Sequence, residues 1–132
     1  MAVRSYALMP RYNEAFEPPA PVVDVSITST VDPSKVRQAS GKLDTGADLS
    51  VIPQDMVAEL QLVPSRWAAR SYEGVWTQRP AYLVNVTAAN FHLPHVEAVS
   101  AVRKDVLLGR NVLNHFTITL KGKDLIFEIV DP

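Results

Sequence analysis

Cysteine is absent from the 132-residue chain. Its absence excludes disulfide bonds, thiolate zinc sites and cysteine nucleophiles, and it fits a reducing compartment. A surplus of one charge is also lacking, since the formal net charge is -1 and the basic residues are scattered. A chain this close to neutrality gives no reason to expect a nucleic acid or an anionic membrane surface as partner.

Long apolar runs are missing as well. None approaches the roughly 20 residues that a membrane-spanning helix needs, and residues 1–10 lack the apolar segment of a signal peptide. We therefore expect a cytoplasmic protein. The length fits one domain, and four prolines disfavour regular structure near the N-terminus. The sequence predicts an N-terminal arm over residues 1–18, with room for an edge strand at residues 5–9, and a folded domain over residues 19–132.

Most of the remaining chain has the pattern of β-strands. Pro53 suits the first position of a short helix, a second short helix is expected at residues 109–114, and Pro94 is expected to break a strand. Gly74 allows a long hairpin to turn tightly next to Glu73. Alternating and β-branched apolar residues predict a mainly β fold, with strands at residues 22–28, 36–43, 82–87, 91–102, 106–108, 116–120 and 125–129.

A carboxylate follows the apolar end of the second predicted strand. Asp44 comes directly after Leu43 and is followed by Thr45, which offers a hydroxyl beside the acid. Gly46 comes next, and its lack of a side chain lets another backbone or a ligand approach closely. Because Asp-Thr-Gly is also a common turn composition, the tripeptide alone favours an ordinary strand-to-turn transition over a catalytic site.

A longer string around Asp44 resembles the active-site signature of retropepsins, the retroviral-type aspartic proteases. It reads Leu-Asp-Thr-Gly-Ala-Asp-Leu-Ser-Val-Ile-Pro at residues 43–53. Leu-Leu-Gly-Arg-Asn-Val-Leu at residues 107–113 is similar to the family's second element, and the hairpin with Gly74 lies between the two, where the family has its flap. The resemblance covers about residues 22–129. It implies a closed β-barrel of the acid-protease type that forms one half of a two-fold dimer.

The resemblance also implies a reaction. Members of this size carry one catalytic aspartate per chain, so Asp44 of two copies would form the catalytic pair on a two-fold axis. Two carboxylates that lie so close share a proton. The ionised one would activate a water that attacks a peptide carbonyl, while the protonated one donates to the carbonyl oxygen. The implied partners are a second copy and a polypeptide substrate, and neither a cofactor nor a metal is expected.

Supporting roles carry over from the family by resemblance. Thr45 would hydrogen-bond across the dimer axis, and Gly46 would present its carbonyl to the substrate backbone. Ala47 and Asp48 would line the cleft, with Asp48 contacting the substrate backbone. Arg110 would pair with Asp48 and brace the active-site loop; the alternative for Arg110 is an ordinary surface cation, which contributes little.

The hairpin around Gly74 would be the flap that closes over a bound peptide. Gly74, Val75 and Trp76 are its predicted substrate-binding residues, and packing of the flap base against the core is an equal alternative for Trp76. The chain has fewer flap glycines than viral members and continues into an extra C-terminal strand. We therefore expect a dimer contact that is built differently, with a contribution from the arm. Further candidate walls of the substrate pockets are Ile52, Val102 and Val106.

Two other functions fit the same sequence. The domain could be a dimerisation or peptide-binding module without turnover, although such a module has no need of a paired carboxylate. It could also be a protease that cuts only itself or one partner, and a cleavage site in the Pro-rich arm would favour that alternative. The leading hypothesis is an aspartic endopeptidase that binds extended polypeptide as a β-strand.

Overall fold

A computed structural model describes residues 7–130, apart from the side chains of residues 70–72. Within this part, two short helices, α1 Gln54–Glu59 and α2 Arg110–Leu113, accompany ten strands, and no helix has the length and apolar character to cross a membrane. The mainly β fold class is thereby confirmed. The strands are β1 Ala7–Leu8, β2 Val22–Ser29, β3 Val36–Leu43, β4 Ser50–Pro53, β5 Pro64–Tyr72, β6 Val75–Ala88, β7 Phe91–Ala101, β8 Val106–Leu108, β9 Thr117–Lys121 and β10 Ile126–Val130.

Six strands close into a barrel. They pair in the order β2-β3-β8-β4-β7-β6, and β6 pairs again with β2, while β5 extends the sheet beyond β6. β3 and β8 are parallel, with Leu43 beside Leu108. β3 is followed by the turn that contains Gly46, and β8 by Gly109, which directly precedes α2, so Asp44 and Gly109 emerge side by side at the same end of the barrel.

The barrel interior holds the main core. Alternation along β2 buries Val23, Val25 and Ile27, as expected for a strand with one face turned inward. Met56 of α1 and Phe127 of β10 are fully buried in the same cluster. Since burial of one large apolar side chain stabilises the fold by about 1.5–3 kcal/mol, this cluster fixes the barrel, the helix and the second sheet relative to one another.

The second sheet has three strands in the order β1-β10-β9. β10 is the extra C-terminal strand that the sequence predicts, and a 3-10 turn, Gly122–Asp124, joins it to β9. The described part of the N-terminal arm lies along β10: Pro10 accepts a hydrogen bond from the Phe127 N–H at 3.1 Å, and the Tyr12 ring packs edge-on against Phe127. β1 falls inside the edge strand predicted for residues 5–9, of which residues 5 and 6 lie outside the described residues.

Two local predictions about prolines are wrong. β7 continues through Pro94, because Pro94 and His95 lie together opposite Asn85 in a bulge. The His95 N–H donates to the Asn85 side chain at 3.2 Å, and a bulge tolerates the missing N–H of proline because it leaves one residue unpaired. Pro53 is the last residue of β4 and precedes the first helical residue of α1.

Candidate active site

Asp44 lies at the point where β3 leaves the barrel. Its N–H donates to the Leu108 carbonyl at 3.0 Å, which continues the β3–β8 pairing by one residue. One carboxylate oxygen, Oδ1, accepts the Gly46 N–H at 3.0 Å, and the Ala47 N–H donates to the Asp44 carbonyl at 3.3 Å. The carboxylate is partly buried. One carboxylate oxygen of Asp44 is therefore held by a backbone N–H within a tight turn.

The two residues after Asp44 are exposed. A Cβ on Gly46 would approach Asp44 Oδ1 to 3.3 Å, closer than most side chains tolerate, so glycine permits the short Gly46–Asp44 contact. Thr45 is also exposed. Among the described residues its carbonyl contacts Arg110, and its side chain hydrogen-bonds to none of them.

Arg110 braces this loop through three contacts. Its backbone N–H donates to the Ala47 carbonyl at 2.8 Å, its Nη1 donates to the Thr45 carbonyl at 2.7 Å, and its Nη2 donates to the Asp48 carboxylate. The ion pair alone contributes little to stability, because the Asp48 side chain is 80% exposed and exposed ion pairs are weak. The bond to Thr45 adds a fixed direction, since the planar guanidinium can hold two acceptors at once.

A buried polar network behind the loop was missed by sequence reasoning. Ser50 is 1% exposed, and both its N–H and its hydroxyl donate to Asn111 Oδ1, at 3.1 and 3.0 Å. The Ser50 hydroxyl accepts the Gly109 N–H at 3.0 Å, and Asn111 Nδ2 donates to the Glu97 carbonyl at 2.8 Å. The network joins the loop after β3 to the segment after β8. Its one local signal is a serine at the start of an apolar run.

Gly109 completes the junction of the two loops. A Cβ at this position would lie 2.6 Å from the carbonyl carbon and oxygen of Leu49 and 2.9 Å from the Ser50 nitrogen. These are backbone atoms that cannot rotate away, so only glycine fits here without displacing the active-site loop.

A second apolar cluster lies between this loop and the base of the β5–β6 hairpin. Its buried members are Val51, Ala68, Ala81 and Val99, and the partly buried Leu49, Ala101 and Leu107 pack against them. The sequence pattern does not predict that Leu49 and Leu107 lie in this cluster. The prediction that Ile52 and Val106 form pocket walls is wrong, because both are 1% exposed in the main core. The third predicted wall, Val102, is 91% exposed.

The β5–β6 hairpin extends beyond the barrel. Glu73 and Gly74 form its turn with φ values of 50° and 80°, the left-handed pair that favours glycine. Val75 and Trp76 follow, 64% and 72% exposed. Packing of Trp76 against the core is therefore wrong.

Strand pairing also separates the two hairpin faces. Trp76 lies opposite Ser71, and Trp67 is four residues from Ser71, so both tryptophans share one face. Val75 alternates with Trp76 and lies on the face of Ala68, whose side chain is buried in the second cluster. This alternation places Val75, and not Trp76, on the face of the hairpin that carries the second cluster. In the loop after β3, Ala47 is only 8% exposed. The exposed residues of that loop are Thr45, Gly46 and Asp48.

Comparison with known proteins gives one family and one fold. The sequence model of a family described as gag-polyprotein putative aspartyl protease matches residues 30–115, and no curated protein sequence matches the chain. The crystal structure of a retropepsin-like aspartic protease from Rickettsia conorii is similar, with a TM-score of 0.69 and 12% identity, over 97% of this chain and 92% of that one. The solution structure of the simian foamy virus (mac) protease is similar with a TM-score of 0.54 and 12% identity, over 71% of this chain and 92% of that one. The two structures confirm the retropepsin-like barrel.

Proposed function

Since this chain belongs to the gag-polyprotein aspartyl protease family, we propose that it is an aspartic endopeptidase whose catalytic pair is Asp44 from two copies. The observation that carries the proposal is the environment of Asp44. Its carboxylate leaves the end of a buried strand, one oxygen is bound by the Gly46 N–H, and the loop is braced by Arg110. An ordinary surface turn of the same composition would need neither the Gly46 hydrogen bond nor the Arg110 contacts.

The proposed reaction follows from placing two such carboxylates together. On a two-fold axis they repel when both are ionised, so the pair retains one proton, as is known for aspartic proteases. The ionised carboxylate takes a proton from a water, and the resulting hydroxide attacks the scissile carbonyl carbon. The protonated carboxylate donates to the carbonyl oxygen, which gives a tetrahedral gem-diol. The C–N bond then breaks, the leaving nitrogen takes the proton that the first carboxylate removed from the water, and the second carboxylate recovers its proton from a gem-diol hydroxyl as the acid carbonyl forms. The Gly46 N–H keeps each carboxylate in the orientation that this exchange requires.

The neighbouring residues have distinct proposed roles. Thr45 is exposed, and its hydroxyl would bond to the partner copy across the axis. Gly46 offers its carbonyl, and Asp48 its remaining carboxylate oxygen, to the backbone of a bound peptide. Arg110 is a positioning residue, because it holds Thr45 and Asp48 in place and is assigned no contact with the peptide.

The substrate we propose is an extended polypeptide with aliphatic side chains near the cleaved bond. The second apolar cluster presents Leu49 and Leu107 beside the active-site loop, both only partly buried, and such surfaces bind apolar side chains of a strand-like peptide. Gly74 and Val75 would cover the peptide from the hairpin tip. Trp76 lies on the opposite face of the hairpin, so we assign it no substrate contact.

The test compares wild type with Asp44→Asn in a peptide-library cleavage assay between pH 4 and pH 7, at several protein concentrations. We expect Asp44→Asn to lose cleavage by about 10²- to 10⁴-fold, the usual contribution of a general acid–base group. Wild-type activity should rise faster than linearly with protein, because only the dimer is active. If wild type and Asp44→Asn are equally inert although both are folded dimers, the protease proposal fails and a peptide-binding module without turnover replaces it.

A further inference from the structure

The face of the β5–β6 hairpin that carries Val75 also carries an arginine. Side chains alternate between the two faces of a strand, so Arg79 lies on the same face as Val75, and it lies opposite Ala68 of β5. Ala68 belongs to the second apolar cluster, in which Leu49 and Leu107 are partly buried beside the active-site loop. Arg79 therefore lies between the hairpin tip and the surface that we assign to the apolar side chains of a bound peptide.

The Arg79 guanidinium is exposed and has no counter-charge in the part of the chain that the structure describes. Its Nη1 donates to the Ser100 carbonyl at 3.1 Å, and no described carboxylate lies within ion-pair distance of it. Other described arginines do pair with a carboxylate, and these are Arg37, Arg66, Arg103 and Arg110. The bond to Ser100 uses one of five N–H donors, so a planar pair of donors remains for a carboxylate.

The place of Arg79 in β6 sets its distance from the cleaved bond. Arg79 follows Val75 by four residues, about 13 Å along a strand that rises about 3.3 Å per residue. In the proposed function, Gly74 and Val75 cover the peptide near the cleaved bond, and a peptide bound as a strand has the same rise. When the length of the arginine side chain is included, the guanidinium lies beside a side chain about two to four residues from that bond.

We propose that Arg79 binds an acidic side chain, Asp or Glu, of the polypeptide substrate, about two to four residues from the cleaved bond. The inference rests on the proposed function and extends it from aliphatic side chains at the bond to an acidic one farther out. The guanidinium and the carboxylate would form a charge-assisted, two-pronged hydrogen bond. Because a two-fold dimer presents two hairpins, the acidic residue can lie on either side of the bond.

The apolar surroundings of Arg79 strengthen this selection. Ala68 and Val99 of the second cluster are 3% and 2% exposed, and ion pairs beside such buried apolar groups are stronger than pairs that water surrounds on all sides. Arg66 lies two residues from Ala68 on the same strand, but Glu97 already neutralises it at 2.5 Å. Arg79 is therefore the residue on this face that we expect to select an acid.

Peptide libraries that differ only in Glu or Gln at one position test the selection. The fixed position is the second, third or fourth residue from the cleaved bond, and kcat/KM is measured at pH 6, where a peptide glutamate is ionised. At the recognised position, wild type should cleave the Glu peptides at least about tenfold faster than the Gln peptides, as expected for hydrogen bonds to a charged group. Arg79→Gln should bring this ratio to about one, and Arg79→Glu should favour Lys over Glu at that position.

Moving the arginine to the other face of the hairpin is the matched control. Gln78 is exposed and lies on the face of Trp76, so Arg79→Gln combined with Gln78→Arg keeps the composition and the net charge. The double variant turns the guanidinium away from the second cluster, and its ratio of Glu to Gln cleavage should also be about one. A ratio as high as that of wild type would mean that overall charge selects the peptide, and it would overturn the proposal.

The same ratio separates substrate binding from a structural role. If Arg79 only fixed the hairpin base through Ser100, Arg79→Gln would lower the cleavage of Glu and Gln peptides by the same factor. That result would overturn the proposal, and so would a wild-type ratio of about one at every position.

The two proposals fail in different ways. If wild type cleaves peptides without regard to Glu or Gln, the acid selection fails and the protease proposal stands. If wild type cleaves no peptide, fluorescence anisotropy of the labelled Glu and Gln libraries reports binding alone. Tighter binding of the Glu library that Arg79→Gln removes would support the acid site while the protease proposal fails, whereas equal or undetectable binding would overturn the acid site as well.

Discussion

Gly109→Ala is the substitution for which the structure gives the sharpest expectation. The added methyl carbon would lie 2.6 Å from the Leu49 carbonyl carbon and oxygen, about 1 Å inside the usual separation of non-bonded atoms. Backbone φ at Gly109 is -80°, so no conformational penalty contributes and the cost is steric. Overpacking of this kind typically destabilises by about 1–3 kcal/mol. Because backbone atoms must move, we expect the upper end, which corresponds to a melting temperature lower by roughly 10 °C.

The matched control is Gly122→Ala. Its added Cβ would meet only the Tyr12 hydroxyl at 3.6 Å, an ordinary contact. Thermal and urea unfolding of both variants should be measured at one protein concentration, since the proposed dimerisation would make apparent stability depend on concentration. Gly109→Ala should also lose more peptide cleavage than its stability explains, because it displaces Leu49 from the loop. If Gly109→Ala is as stable as Gly122→Ala, the close junction of the two loops is refuted.

Three further substitutions separate buried polar contacts from exposed ones. Asn111→Ala leaves the Ser50 N–H and hydroxyl without their acceptor, and we expect urea denaturation to show a loss of about 1–3 kcal/mol in unfolding free energy; an unchanged midpoint would contradict the role of the network. Arg110→Lys keeps the charge but cannot hold two acceptors in one plane, so cleavage should fall about tenfold with an unchanged circular dichroism spectrum, whereas full activity would show that the Thr45 contact is dispensable. Arg37→Ala removes the exposed ion pairs of Arg37 with Glu59 at 2.5 Å and with Asp55 at 3.5 Å. In urea denaturation the loss of unfolding free energy should stay below about 1 kcal/mol. A larger loss would contradict the weak contribution that we infer for exposed ion pairs.

Local patterns were sufficient to predict most of the fold. The alternation of Val23, Val25 and Ile27 specifies which face of β2 is buried, and the turn at Gly74 follows from the need for positive φ. Closure of the barrel is not encoded in any single segment, because it depends on the pairing of β2 with both β3 and β6. The strand break predicted at Pro94 is wrong for a related reason, because the β7 bulge that accommodates Pro94 arises from pairing with Asn85 of β6.

In the candidate site, too, local motifs predict some residues, whereas other contacts depend on the tertiary fold. Asp44 and Arg110 stand in recognisable strings, and the structure brings their loops together. The contact of Ser50 with Asn111 joins residues 61 positions apart, so no local pattern predicts it. Ile52 and Leu107 show a further limit, because an apolar run says that residues are buried without saying in which of two clusters. Tertiary packing assigns Ile52 to the main core and leaves Leu107 beside the active-site loop.

The central claim is that two Asp44 carboxylates from different copies act as one pair, and mixing experiments test it most directly. Wild-type chain is held at a fixed amount, Asp44→Asn chain is added, and peptide cleavage is measured after subunit exchange. With equal amounts of the two chains, random pairing leaves half of the wild-type chains in wild-type dimers, so activity per wild-type chain should fall to about one half and continue to fall with more added variant. Activity that stays constant as Asp44→Asn is added would mean that each chain works alone, and it would contradict the paired-carboxylate account.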